Sequence, residues 1–239
     1  MMFTDPLTWL DPTDLSVAMF RHQLADAAET ASPVFTLIQE DERAVLGIFE
    51  NISDVSAPLV MFWTSQPRLV TPLLNKALRS GQRYLFIVPE RYWPELSEHL
   101  RYFEYLDRCL LHTCEQLHYE GSRRDLVRYE LADGCYGYAV EQRGLRISYA
   151  ELNWQLDNVA EIGVWTRKEH RGKGYAKNVV AALTRDLLAA GKQPLYVASE
   201  KNLASRAVCR RLGYRWTGDV EIETVARFFP APEGRASQS

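Results

Sequence analysis

The sequence predicts an α/β (α+β) fold, a mixed and mostly antiparallel sheet flanked by helices, and it predicts that fold twice over its 239 residues. Three observations lead there. Apolar runs of strand length alternate with stretches of helical period. Charged or glycine-bearing breaks between neighbouring runs read as hairpins. The order of elements then repeats, with matching punctuation.

The first half opens with an acidic, Ala-rich stretch in which Asp14 is placed to cap a helix through Leu15, Ala18, Met19, Leu24 and Ala25, closed by Pro33. Val34 to Ile38 and Ala44 to Phe49 form the next hairpin, joined through Glu40-Asp41-Glu42-Arg43. Leu59 to Trp63 is a third strand. Leu69, Leu73, Leu74, Ala77 and Leu78 recur at helical spacing up to Gly81, before a strand from Tyr84 to Val88 and a short helix from Trp93 to Leu100.

The second half repeats this order. Tyr136 to Glu141 and Leu145 to Trp154 make a hairpin through Gln142-Arg143-Gly144, and Val159 to Trp165 follows as a strand. A charged, glycine-bearing loop leads into a helix with Val179, Val180, Leu183, Leu187 and Leu188 on one face, ended by Gly191. Then come a strand from Leu195 to Ala198, a helix from about Leu203 to Leu212 stopped by Gly213, and a last strand from Val220 to Val225. Phe62-Trp63-Thr64 aligns with Val164-Trp165-Thr166, and Gly81 with Gly191; the first copy is 8 residues shorter between these landmarks, the length of the glycine loop. The expectation is a duplication, residues 1–120 and 121–239, in which only the second copy keeps a phosphate-binding turn.

Composition bounds the function. A 46% hydrophobic, 25% charged chain is ordinary for a folded globular protein. No basic leader precedes an apolar run and none approaches membrane-spanning length, so a cytoplasmic location with no membrane partner is expected. Cys109, Cys114, Cys135 and Cys209 show neither a C-x-x-C pair nor zinc-ligand spacing, which points to reduced, buried thiols and no metal. Residues 1–120 hold 9 Lys+Arg against 17 Asp+Glu, and the remainder 19 against 14. The basic half carries no recognisable nucleic-acid module, so no nucleic-acid partner is expected.

The chemistry concentrates in one segment, Ile162 to Ala176, a strand running into glycines and then into a helix. Gly172 and Gly174 let the backbone adopt positive φ and approach a ligand closely. Their amides, with the free N–H groups of a helix beginning near Tyr175, suit a pyrophosphate, and Arg171, Lys173 and Lys177 add positive charge. Small Ala176 leaves room. A nucleoside-triphosphatase loop is excluded because no Gly-Lys is followed by Ser or Thr, and a dinucleotide loop because Gly172-x-Gly174-x-x-Lys177 lacks the third glycine.

The segment resembles the coenzyme A signature of the GNAT (general-control-type N-acetyltransferase) superfamily, [Q/R]-x-x-G-x-[G/A], through Arg171, Gly174 and Ala176. A second signature, N-x-x-[AS]-x-x-x-[YC]-x-x-x-G-[FY], is matched by Asn202, Ser205, Cys209, Gly213 and Tyr214. The resemblance covers about residues 121–226 and, more faintly, the first half as a degenerate copy. It implies the GNAT fold and direct acetyl transfer from acetyl-CoA to a primary amine, without metal or covalent intermediate. The backbone of Val164, Trp165 and Thr166 would pair with the pantetheine arm. Arg171, Gly172, Lys173, Gly174, Tyr175 and Ala176 would hold the pyrophosphate, with Asn202 and Ser205 across the groove. A splay or bulge of the strand would free an amide for the thioester carbonyl.

By the same resemblance Glu161 is the general base, although it stands five residues before Thr166 where relatives place six, which turns it to the other face unless a bulge intervenes. Cys209 occupies the position where relatives carry a proton-donating Tyr, with Tyr175, Tyr196 and Tyr214 as alternatives. His170 reads as a loop residue. Two readings stay open: an N-acetyltransferase, or an acyl-CoA-binding module whose catalysis has decayed. The acceptor would be a small-molecule amine or a protein amine, its cationic character suggested by the acidic half, and the chain a monomer or homodimer.

Overall fold

The computed structural model describes residues 5–39, 41–50, 56–122 and 125–230. Glu40 of the expected first hairpin and the residues from 231 on lie outside this description. In chain order the first elements are α1 (Ala18–Thr30), β1 (Val34–Gln39), β2 (Glu42–Phe49), β3 (Leu59–Thr64), α2 (Val70–Ala77), β4 (Arg83–Pro89), α3 (Trp93–Ser97) and β5 (Leu100–Thr113). They are followed by β6 (Leu126–Glu130), β7 (Tyr136–Gln142), β8 (Leu145–Gln155), β9 (Val159–Thr166), α4 (Tyr175–Ala189), β10 (Gln193–Ser199), α5 (Leu203–Leu212) and β11 (Arg215–Phe228).

Two compact units result, Met1–Arg108 with Val220–Ser239, and Cys109–Asp219. The boundary therefore falls at 108/109 and not at 120, and the chain's last strand joins the first unit. The reason is β5 and β11. Both are 14 residues long and run across the boundary, and β11 pairs antiparallel with β4 from Glu221↔Pro89 to Arg227↔Arg83. The polar-interleaved stretch Arg101 to Asp107 gives the first half of β5 no apolar run by which a strand could be read.

In the first unit the strands run β1-β2-β3-β4-β11, antiparallel except for the parallel β3–β4 pair. Alternation decides which residues meet which helix. Ala44, Leu46, Val60 and Phe62 pack against Leu69, Val70, Leu73 and Leu74 of α2 and the turn before it. Val45, Phe49, Leu59 and Met61 face Phe20 and Leu24 of α1. Asp14 caps a short 3-10 turn, Leu15–Val17, that leads into α1, and the helix stops at Ala31 (φ 53°), two residues before Pro33.

The second unit has the order β5-β10-β9-β8-β7-β6, again antiparallel except for one pair, β9–β10. Tyr138, Ala150, Leu152, Ala160 and Ile162 form one face. Val179, Val180, Leu183 and Leu187 of α4 and Cys209 and Leu212 of α5 pack on it, each fully buried aliphatic side chain contributing about 1.5–3 kcal/mol. Among the described residues no helix of this unit covers the other face. The sequence of pairings matches the first unit: a parallel pair (β3–β4, β9–β10), then an antiparallel neighbour (β11, β5).

Candidate active site

The parallel pair β9–β10 is short. It spans only Gln193↔Val159, Pro194↔Ala160 and Leu195↔Glu161, although β9 continues to Thr166 and β10 to Ser199. Past Glu161 the two strands part, and β10 stays paired with β5 up to Ser199↔Cys109. Arg167 N–H donates to Ile147 C=O of the β8 side at 2.8 Å. Strand alternation then points the main-chain groups of Val164 and Thr166 away from β8, toward the gap. Those of Trp165 point the other way, where its carbonyl accepts from Ser148 Oγ at 3.3 Å. Of the three backbone positions expected to meet a pantetheine arm, Val164 and Thr166 face the opening and Trp165 does not.

The gap leads to the glycine turn. After a 3-10 turn (Lys168–His170), Gly172 (φ 76°) and Gly174 (φ 84°) both take left-handed conformations, and a Cβ at either would meet nothing within 4 Å. Gly174 is the N-cap of the 15-residue α4 and supplies no side-chain cap. Among the described residues, no acceptor is found for the N–H groups of Gly172 to Ala176, so they stand as unspent donors where the helix dipole is positive. Arg167, Lys168, Arg171 and Lys173 are exposed in this segment, as is Glu169. Arg171 Nε donates to Thr166 C=O at 3.1 Å, tying the turn to the strand end. Lys177 is turned to the side, its ammonium 3.7 Å from the Tyr119 ring centre, and the Tyr175 hydroxyl accepts from Gln142 Nε2 at 3.2 Å.

Across the opening, Asn202 caps α5 by accepting from Ser205 N–H at 3.1 Å. The Ser205 hydroxyl lies 2.9 Å from that of Tyr196, the first β10 residue after the strands part. Burial pushes the Tyr196 phenol up. Cys209 is fully buried below this pair, its thiol pushed up to about 12 by desolvation. Tyr214 is buried deeper, 2.6 Å from Thr184 Oγ1.

Glu161 lies at the fork itself. Its carboxylate accepts from Asn153 Nδ2 and from Trp154 Nε1, both at 2.7 Å. The bulge that arranges this is in β8, between Leu152 and Trp154, and β9 alternates regularly: Ala160 and Ile162 enter the core, while Glu161, Gly163 and Trp165 take the face that α4 and α5 leave open. Nothing in the sequence marks Asn153 as the bulge, so the two donors carry no sequence signal. Among the described residues no group of three or more His, Cys, Asp and Glu could hold a metal, and no helix is long and apolar enough to cross a membrane.

The first unit has the same fork, closed. β3 and β4 pair only at Leu59↔Leu85 and Val60↔Phe86. There the Tyr92 hydroxyl accepts from Thr64 N–H at 3.2 Å and donates to Thr64 C=O at 3.0 Å, and its ring lies 5.3 Å from Phe62. Thr64 is the counterpart of Thr166. The turn that follows runs through Pro67 into α2 without glycine.

Comparison with known proteins places this geometry. Residues 151–222 match the family model of FR47-like protein. No curated protein matches in sequence. Among solved structures, a GCN5-related N-acetyltransferase from Kribbella flavida is similar at TM-score 0.59 and 12% identity, over 94% of this chain and 98% of that one. A putative GNAT-family acetyltransferase from Novosphingobium aromaticivorans aligns at TM-score 0.55 and 16% identity, over 71% and 84%. A tandem GNAT protein from the clavulanic acid biosynthesis pathway aligns at TM-score 0.54 and 11% identity, over 88% and 89%. The chain is thus built on the fold of the GNAT acetyltransferases, with an FR47-like stretch, residues 151–222, that carries the fork and the glycine turn.

Proposed function

We propose that the second unit binds acetyl-CoA and transfers its acetyl group to a primary amine by direct attack. The observation that carries this reading is the open fork: a β9 edge that β10 leaves, with the Thr166 carbonyl held by Arg171, leads to a turn whose amides are free. The pantetheine amides pair with Val164 and with the Thr166 N–H as an added strand, and the pyrophosphate takes the Gly172–Ala176 donors. The first unit, closed by Tyr92 and lacking the glycine turn, serves as a degenerate copy without cofactor.

An acceptor ammonium near pKa 10 is only about a thousandth neutral at pH 7, so attack needs a base. Glu161, fixed at the fork by Asn153 and Trp154, accepts that proton directly or through water. The amine nitrogen bonds to the carbonyl carbon while a freed β9 amide holds the oxyanion, and the C–S bond then breaks. Cys209 is a packing residue in this scheme. The leaving thiolate takes a proton relayed from solvent through the Ser205 and Tyr196 hydroxyls, Tyr196 remaining neutral.

Thiol release from acetyl-CoA across an amine panel tests the reading, with Glu161→Gln as the informative variant. The substituted amide keeps one acceptor for Asn153 or Trp154 but cannot take a proton. We expect kcat to fall about 10²-fold or more and the pH profile to change, with coenzyme A affinity unaltered. Coenzyme A binding without turnover on any amine would leave the binding-module reading in its place.

A further inference from the structure

The first unit's sheet ends in a strand whose outer edge the chain leaves almost bare. β1 is that strand, six uncharged residues, Val34–Gln39, without an internal glycine or proline. Ile48 N–H donates to Pro33 C=O at 2.9 Å, and the register from Val34↔Gly47 to Gln39↔Glu42 then makes Phe35, Leu37 and Gln39 the residues whose main chain bonds β2. The N–H and C=O groups of Val34, Thr36 and Ile38 therefore point outward. Among the described residues one group meets them, the exposed Lys76, whose Nζ donates to Thr36 C=O at 2.7 Å. The side chains of Phe35 and Leu37 pack toward α2, whereas Val34 and Ile38, on the other face, are 36% and 59% exposed.

The outer strand of the second unit, β6, is finished differently. Leu131 N–H donates to Cys135 C=O at 2.8 Å, which turns the main chain of Leu126, Arg128 and Glu130 outward. Two of these three residues carry charge, paired at 3.2 Å, and the Arg128 guanidinium lies 4.5 Å from the Tyr136 ring centre. Charge on an edge strand is the usual guard against pairing with another chain, and β1 itself has none.

We infer that the β1 edge is a homodimer interface, in which two copies of this chain pair β1 with β1, antiparallel about Thr36. The pattern is its own complement. With Thr36 opposite Thr36 of the second copy, Val34 falls opposite Ile38 and Ile38 opposite Val34. Every outward-pointing residue then meets another, and each exposed branched side chain gains an apolar cross-strand neighbour. Pro33 and Gln39, where the strand begins and ends, stand at equal distance from Thr36 and stop the pairing symmetrically. A contact of this kind closes on itself, whereas a foreign strand would find no charged side chain on β1 to select it. Edges this short fall below the roughly 1,200 Å² of a standard interface, so the association is weak, with a dissociation constant of about 1–100 µM.

Sedimentation equilibrium of the full chain over about 1–200 µM tests this, and the parent is expected to pass from monomer to dimer across that range. Thr36→Pro removes an N–H that β2 does not use and should raise the dissociation constant about tenfold or more. Ile38→Glu should do the same by setting a carboxylate against Val34 of the second copy. Within one chain it gains Arg43 as its cross-strand neighbour, so the circular dichroism of this variant should match the parent's. Lys76→Met releases the Thr36 carbonyl and should tighten the dimer. Val127→Glu on β6 should leave it unchanged. A parent that stays monomeric throughout, or a dimer equally stable in Thr36→Pro and in Ile38→Glu, would overturn the interface, as would a dimer lost in Val127→Glu instead.

Discussion

At the scale of single residues, the glycine turn is where a small change has the sharpest consequence. Gly174 sits at φ 84° with empty space where a Cβ would be, so a substitution there meets strain before it meets atoms. Gly174→Ala should cost about 1–2 kcal/mol of stability, measured by urea unfolding. Gly174→Glu adds a carboxylate among the donors proposed to hold a pyrophosphate, and calorimetry should show coenzyme A affinity reduced by about a hundredfold or more; unchanged affinity in the folded variant would remove the turn from the site. Cys209 offers the contrasting case. Cys209→Ala leaves a small void in a fully buried site and should cost about 1–2 kcal/mol, while the pH profile of acetyl transfer keeps its shape. A shifted alkaline limb would restore the thiol as an acid. The turn was legible in the sequence because few residues other than glycine tolerate its dihedrals. The setting of Glu161 was not, because its two donors reach it only through a bulge in the neighbouring strand, and a bulge leaves no fixed residue signature.

At the scale of elements, the two forks show one backbone geometry resolved in two ways. Both parallel pairs break after two or three residues, so each strand end presents main-chain groups that must find partners. Tyr92 provides them internally at Thr64, whereas Val164 and Thr166 face an opening. Tyr92→Phe would orphan a buried N–H and C=O together, with an expected loss of about 1–3 kcal/mol in the urea midpoint analysis and no gain of coenzyme A affinity, since no glycine turn follows β3. A neutral outcome would mean that Thr64 finds another partner. The repetition of elements was readable from landmarks such as Trp63 and Trp165. The strands between the copies were not: β5 interleaves Arg101, Glu104, Asp107 and Arg108 with its apolar residues, and β6 is only five residues long.

At the scale of the whole molecule, β5 and β11 determine what can be separated. A cut after residue 120 takes β11 from the first unit, because its pairing with β4 lies at Glu221 to Arg227, and takes β5 from the second, because its pairing with β10 lies at Cys109 to Thr113. Fragments 1–120 and 121–239 should each lack a cooperative unfolding transition by circular dichroism, and two-state melting of either alone would contradict this exchange of strands. Each unit also contains a buried histidine near the end of β5 that belongs to it. His99, fully buried, has Nε2 2.9 Å from Thr71 Oγ1, and His112 has Nδ1 3.0 Å from Leu110 O and 3.3 Å from Tyr196 O. Burial pushes the pKa of both below the usual 6.5. The unfolded chain therefore takes up these protons before the folded one does. Their contribution is complete above about pH 6.5 and is lost as pH falls below it toward the depressed folded values, at up to about 1.4 kcal/mol per pH unit for each histidine. Urea unfolding at pH 7.5 and 5.5 should show the loss, most carboxylates still being ionised at the lower pH. His99→Gln and His112→Gln should each reduce the difference between the two pH values even where they lower stability at both, and a difference that both variants retain in full would locate the titration elsewhere.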